Sequence, residues 1–200
     1  MTQENSLERH TLVALLAINA CMFILELVLG LISQSTSLIA DSLDMLADAM
    51  VYGLSLYAVG KALANKVSAA RVSGYLQILL GAAVLCEVLR RLVFGSEPIS
   101  TLIIVVGTVA LLANVVCLAL ISKHDTGGVH MRASWIFSVN DVVANLGVIV
   151  SACLVALFDS RYPDLLIGTL ICGLVVRGGI KIQREARDAE SSVLHLINQR

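Results

Sequence analysis

Five polar side chains in two apolar stretches have the types and the spacing to hold a metal ion. Asp41, Asp44 and Asp48 lie within Ser37–Ser55, SLIADSLDMLADAMVYGLS; Asp141 and Asn145 lie within 131–157. At 100° per residue, Asp44 is about 60° from Asp41 and Asp48 about 40° from Asp44, so the three share one stripe. That stripe runs on through Tyr52 and Ser55. Asp44/Asp48 and Asp141/Asn145 are both i,i+4 pairs. Three carboxylates and one carboxamide, two from each helix, suit a four-coordinate oxygen site for a divalent cation. Ionised aspartate near a bilayer centre costs about 2.5–3.5 kcal/mol on insertion scales, so the stripe calls for a bound cation or for protons in its place. Competition between the two is a mechanism: metal taken from one side is exchanged for protons taken from the other.

The elements that must position these groups are membrane helices. The chain has 200 residues, 58% hydrophobic and 14% charged, with a mean hydropathy of +0.87. A soluble domain of this length could not hide so much apolar surface, so an all-α integral membrane protein is expected. Six apolar segments stand out, at roughly 11–33, 38–61, 72–94, 99–122, 131–157 and 163–182. Each is near the ~20 residues that span ~30 Å of hydrocarbon. The connections are short and carry Ser, Gly, Pro and charge, at Gln34–Ser37, Ala62–Arg71, Gly95–Pro98, Lys123–His130 and Phe158–Tyr162. The first segment contains Asn19 and Glu26, is longer than a signal-peptide h-region and lacks an A-x-A-like exit, so it reads as a retained helix. The expected organisation is a six-helix transport domain over 1–183 and a short helical tail over 184–200. The five cysteines sit singly in apolar segments and read as small buried hydrophobes.

Lysine and arginine set the orientation. Six spans put both termini on one side, together with Arg9, Lys61, Lys66, Arg71, Lys123, Arg132, Arg177, Lys181, Arg184, Arg187 and Arg200. The other side holds Arg90, Arg91 and Arg161. The positive-inside bias makes both termini cytoplasmic. No nucleic-acid partner is expected.

Polar residues divide the helices. The first has Asn19 and Glu26 on one face, the second the aspartate stripe, the fourth Asn114 with Gly107 and Cys117, and the fifth Ser134, Ser138, Asp141 and Asn145. Helices 1, 2, 4 and 5 are expected to form a four-helix bundle with a polar core. Helices 3 and 6 look peripheral: Gln77 sits between Gly74 and Gly81, and Glu87 can pair with Arg90 or Arg91. The Gly74/Gly81 face suits close packing, against a second subunit or within the chain. Asp41 reads as a supporting group or a cap, Glu26 as a proton carrier, and His124, Asp125 and His130 as a loose loop cluster.

Two stretches meet a known family. Ser37-Leu-Ile-Ala-Asp-Ser-Leu-Asp-Met-Leu-Ala-Asp48 resembles the second-helix signature of the cation diffusion facilitators, and Asn140-Asp141-Val-Val-Ala-Asn-Leu-Gly-Val-Ile149 is similar to that family's fifth-helix text. The resemblance implies six helices, cytoplasmic termini, a homodimer and proton-coupled export of Zn²⁺ and related divalent metals. It implies a transport site built from one i,i+4 pair on each motif, which falls on Asp44 and Asp48 and on Phe137 and Asp141. Phe137 cannot ligate. The fourth ligand must then be Asn145, Asn140 or water, and Asn145 is favoured because it shares the face of Asp141. A site without imidazole is harder, which moves the expectation from strict Zn²⁺ or Cd²⁺ selectivity toward Co²⁺, Fe²⁺ or Mn²⁺. The family's usual cytoplasmic metal-binding domain finds no counterpart in the short tail, so dimerisation is expected through the helices.

The expected function is therefore efflux of a divalent transition-metal ion across a bacterial inner membrane, with no prosthetic group and no enzymatic activity. The rival is a membrane metal sensor or scaffold that binds ions without moving them. An intramembrane aspartyl hydrolase would need Asp44 and Asp141 to meet across helices, and no GxGD-type context surrounds either.

Overall fold

The computed structural model describes residues 3–58, 63–122 and 128–198, and these hold six α-helices in the order α1 (Gln3–Ile32), α2 (Thr36–Ala58), α3 (Leu63–Phe94), α4 (Ser100–Ser122), α5 (Gly128–Phe158) and α6 (Tyr162–Asn198). Five are long and apolar enough to cross a membrane; α2 matches them in length but carries the three aspartates. Two expected connections are shorter than read. Helix α3 begins at Leu63, because Lys66 and Arg71 end the apolar signal while Ala, Leu, Lys and Arg remain good helix formers, and α5 takes in Gly128, Val129 and His130 ahead of the apolar run. Helix α6 passes through 183–184 without a break, so the boundary drawn at 183 marks a change of polarity within one helix.

Three helix ends stop where the sequence is broken, each by a residue in the left-handed region. Gln34 (φ 50°), Gly95 (φ 94°) and Asp159 (φ 46°) follow α1, α3 and α5. At the first, the Ser35 N–H bonds back to the Gly30 carbonyl at 2.9 Å, the closure of a Schellman turn. Ser35 then caps α2, its Oγ accepting from the Leu38 N–H at 3.1 Å. One serine thus ends one helix and starts the next, which leaves α1 and α2 joined by a turn with no slack.

The most extensive packing is between α1 and α2, α3 and α6, and α4 and α5, and α2 also lies against α6, α3 and α5. The main core gathers on the first half of α2: Leu38, Ile39, Ala40 and Leu43 meet Val84, Ile103, Val106, Val148, Ala152, Ile171 and Val175. Close approach between helices is made by small residues. A Cβ on Gly74 would come within 3.0 Å of the Gly179 carbonyl, and one on Gly81 would collide with the Val176 side chain. The Gly74/Gly81 face is therefore filled by α6 of the same chain rather than by a second subunit. Gln77 lies on that seam too, beside Gly178 and Gly179. Glu87 pairs with both Arg90 and Arg91, at 2.7 Å each. On the polar part of α6, Gln183 donates to the Arg71 carbonyl at 2.6 Å and Glu190 pairs with Arg71.

Candidate metal site

The i,i+4 spacing delivers Asp44 and Asp48 to one side of α2, and Asp141 stands on α5, which packs against α2; all three are partly buried. Among the described residues no three His, Cys, Asp or Glu side chains yet converge around one point as metal ligands. An ion would have to draw the three aspartates together.

Asn145 is fully buried one turn along α5, and its Nδ2 donates to the Asp141 carbonyl at 2.9 Å. Its Oδ1 is buried with no hydrogen-bond partner among the described residues. Asn140, the alternative, is exposed. The side chains of Ser134, Phe137 and Ser138 lie outside the described residues, as do those of His124, Asp125 and His130.

Two further groups lie along the same path. Tyr52, one turn past Asp48 on α2, packs against Leu15, Cys117 and Ile121. Cys117 is buried, and the Asn19 Nδ2 of α1 reaches its sulfur at 3.7 Å while also donating to the Leu15 carbonyl at 2.9 Å. The sequence placed Tyr52 on the aspartate stripe and Cys117 on one face of the fourth helix with Asn114, which is buried there with an unpartnered Nδ2 among the described residues.

Toward the α1–α2 turn lie two further buried carboxyls, Glu26 on α1 and Asp41 on α2, 0% and 1% exposed. Among the described residues no hydrogen-bond partner reaches either Glu26 oxygen or Asp41 Oδ2. Asp41, in the second turn of α2, caps no helix end.

Residues 12–189 match the cation efflux transmembrane domain family. The chain is 26% identical over 190 residues to "Zinc transporter ZitB" of Pectobacterium atrosepticum, covering 88% of this chain and 59% of the relative. It is 23% identical to the "Cadmium, cobalt and zinc/H(+)-K(+) antiporter" of Bacillus subtilis, covering 92% and 63%. It is 27% identical to "Metal cation efflux system protein CzcD" of Cupriavidus metallidurans, covering 82% and 55%. The chain therefore spans less than two thirds of the length of these relatives.

Proposed function

The chain belongs to the cation efflux family, the cation diffusion facilitators, and on that premise we propose that it exports a divalent transition-metal ion across a bilayer in exchange for protons. All six helices cross the membrane in this reading, with both termini cytoplasmic and helices α1, α2, α4 and α5 enclosing the polar path. The observation that carries it is the buried, unpartnered Asn145 Oδ1 beside Asp141 on α5, the helix that packs against the α2 bearing Asp44 and Asp48.

The ligands are Asp44, Asp48 and Asp141, with the Asn145 Oδ1 completing the set. Burial favours Asn145 over the exposed Asn140. Two or three ionised carboxylates offset the 2+ of the ion; when the ion leaves, protons shared between the carboxyls take its place, and the site returns without a net buried charge. Glu26 and Asp41 extend the line of carboxyls toward the α1–α2 turn and serve as the proton path. The Cys117 thiol softens the surroundings of an otherwise oxygen-rich site, which favours Zn²⁺, Cd²⁺ and Co²⁺ over Mn²⁺. The bacterial relatives support the inner membrane as its place and protons as its second substrate.

The test is metal uptake into proteoliposomes under an imposed pH gradient. The wild-type chain gives gradient-driven flux, and Asp48→Ala with Asp141→Ala reduces it to that of empty liposomes. Flux that survives the double substitution overturns the site, and stoichiometric binding without flux selects a sensor or scaffold.

A further inference from the structure

The first turn of α2 is held from outside its own helix. Asp164 on α6 is 0% exposed, and its carboxylate accepts four hydrogen bonds. They come from the Thr36 N–H at 2.6 Å, the Ser37 N–H at 3.2 Å, the Ser35 Oγ at 2.7 Å and the Ser37 Oγ at 2.6 Å. With the Ser35 cap on the Leu38 N–H, three of the four free N–H groups at the start of α2 are satisfied by side chains. A carboxylate there also complements the positive end of the helix dipole.

Arg91, at the end of α3 and 3% exposed, reaches the same turn. Its Nη1 donates to the Gln34 carbonyl at 2.5 Å and to the Thr36 Oγ1 at 3.1 Å. The fit is tight as well as polar: a Cβ on Gly168, one turn after Asp164, would stand 2.7 Å from the Thr36 carbonyl carbon. Two neighbouring helices thus fix the start of α2 along its axis and around it.

Rotation is what matters for the metal. Asp44 and Asp48 face Asp141 only in one rotational setting of α2, and a turn of one residue would carry them about 100° away. We propose that Asp164 is a positioning residue for metal exchange, a cap supplied across the helix interface that sets the register of α2 and so aims Asp44 and Asp48 at α5. Asp164 touches no metal ligand; it acts through the helix that bears them. This rests on the metal-site reading above.

The test is Co²⁺ titration of the purified full chain in nanodiscs, followed by the ligand-field absorption of the bound ion, with thermal melting measured alongside. Asp164→Asn keeps the shape but offers one acceptor oxygen and turns an N–H₂ toward donors. Ser35→Ala with Ser37→Ala removes two of the four bonds and leaves the carboxylate, and it decides the matter if Asp164→Asn does not fold. The expected result is a Co²⁺ affinity weakened on the order of tenfold, the lower end of what losing a supporting group costs a metal site. A changed absorption spectrum is expected with it. Variants that melt earlier yet bind Co²⁺ with wild-type affinity and spectrum overturn the inference, since Asp164 would then only stabilise the fold. A wild-type chain that binds no Co²⁺ overturns the metal-site reading and this inference together.

Discussion

Asn145 gives its Nδ2 to the Asp141 carbonyl oxygen at 2.9 Å, and this bond turns the Asn145 Oδ1 into a buried acceptor with no partner among the described residues. The bond fixes the amide without using the atom that could ligate. Asn145→Ala should weaken Co²⁺ or Zn²⁺ binding on the order of tenfold, about 1.4 kcal/mol. Asn145→Asp adds a charge at the same place, so binding should tighten while turnover slows. Calorimetric titration beside single-turnover release separates the two effects, and unchanged affinity in both variants would exclude Asn145 from the ligand set.

Protons and metal compete for the same carboxyls, which fixes the sign of the pH dependence. Binding an ion displaces protons, so affinity should rise with pH by about one to two protons per ion. Glu26→Gln keeps the volume of the buried side chain and removes its exchangeable proton. It should leave metal affinity within about threefold of wild type, a loss of under 1 kcal/mol, and cut pH-gradient-driven flux sharply. Equal losses in binding and flux would mean that Glu26 supports the metal directly and carries no proton.

Selectivity should respond to two positions that flank the aspartates. Phe137→His puts a nitrogen donor four residues before Asp141 in sequence and should raise preference for Zn²⁺ over Mn²⁺. Cys117→Ser replaces a soft atom with a hard one and should lower preference for Cd²⁺ over Mn²⁺. Competition binding with pairs of metals reads both. No shift at 137 would place that position outside the ligand shell.

Two glycines on α6 separate close packing from helix propensity. Gly168→Ala forces a methyl against the Thr36 backbone and should destabilise the fold by about 1–3 kcal/mol. A methyl on Gly173 would meet no atom within 4 Å among the described residues, so Gly173→Ala should be stabilising by up to about 1 kcal/mol through helix propensity alone. Thermal melting in detergent orders the two.

The fold class was legible because apolar length and helix breaks are local properties. Six segments and their ends at Gln34, Gly95 and Asp159 follow from hydropathy and turn chemistry. The extra turns of α3 were not, because Lys66 and Arg71 interrupt hydropathy without interrupting a helix. The site was half legible for the same reason. An i,i+4 pair declares itself within one helix, so Asp44 with Asp48 and Asp141 with Asn145 could be read from spacing.

Sequence alone also supplied the family, through two motifs long enough to be specific. What it could not hold was every relation between helices. The packing of α5 on α2, the Asn19 amide reaching Cys117 and Asp164 capping α2 all join residues far apart in the chain. Asp164 stands in the first turn of its own helix, where an anion is favourable. Only the packing of α6 against α2 decides that its carboxylate serves another helix, because a hydrogen bond depends on where two atoms lie and not on where their residues fall in sequence.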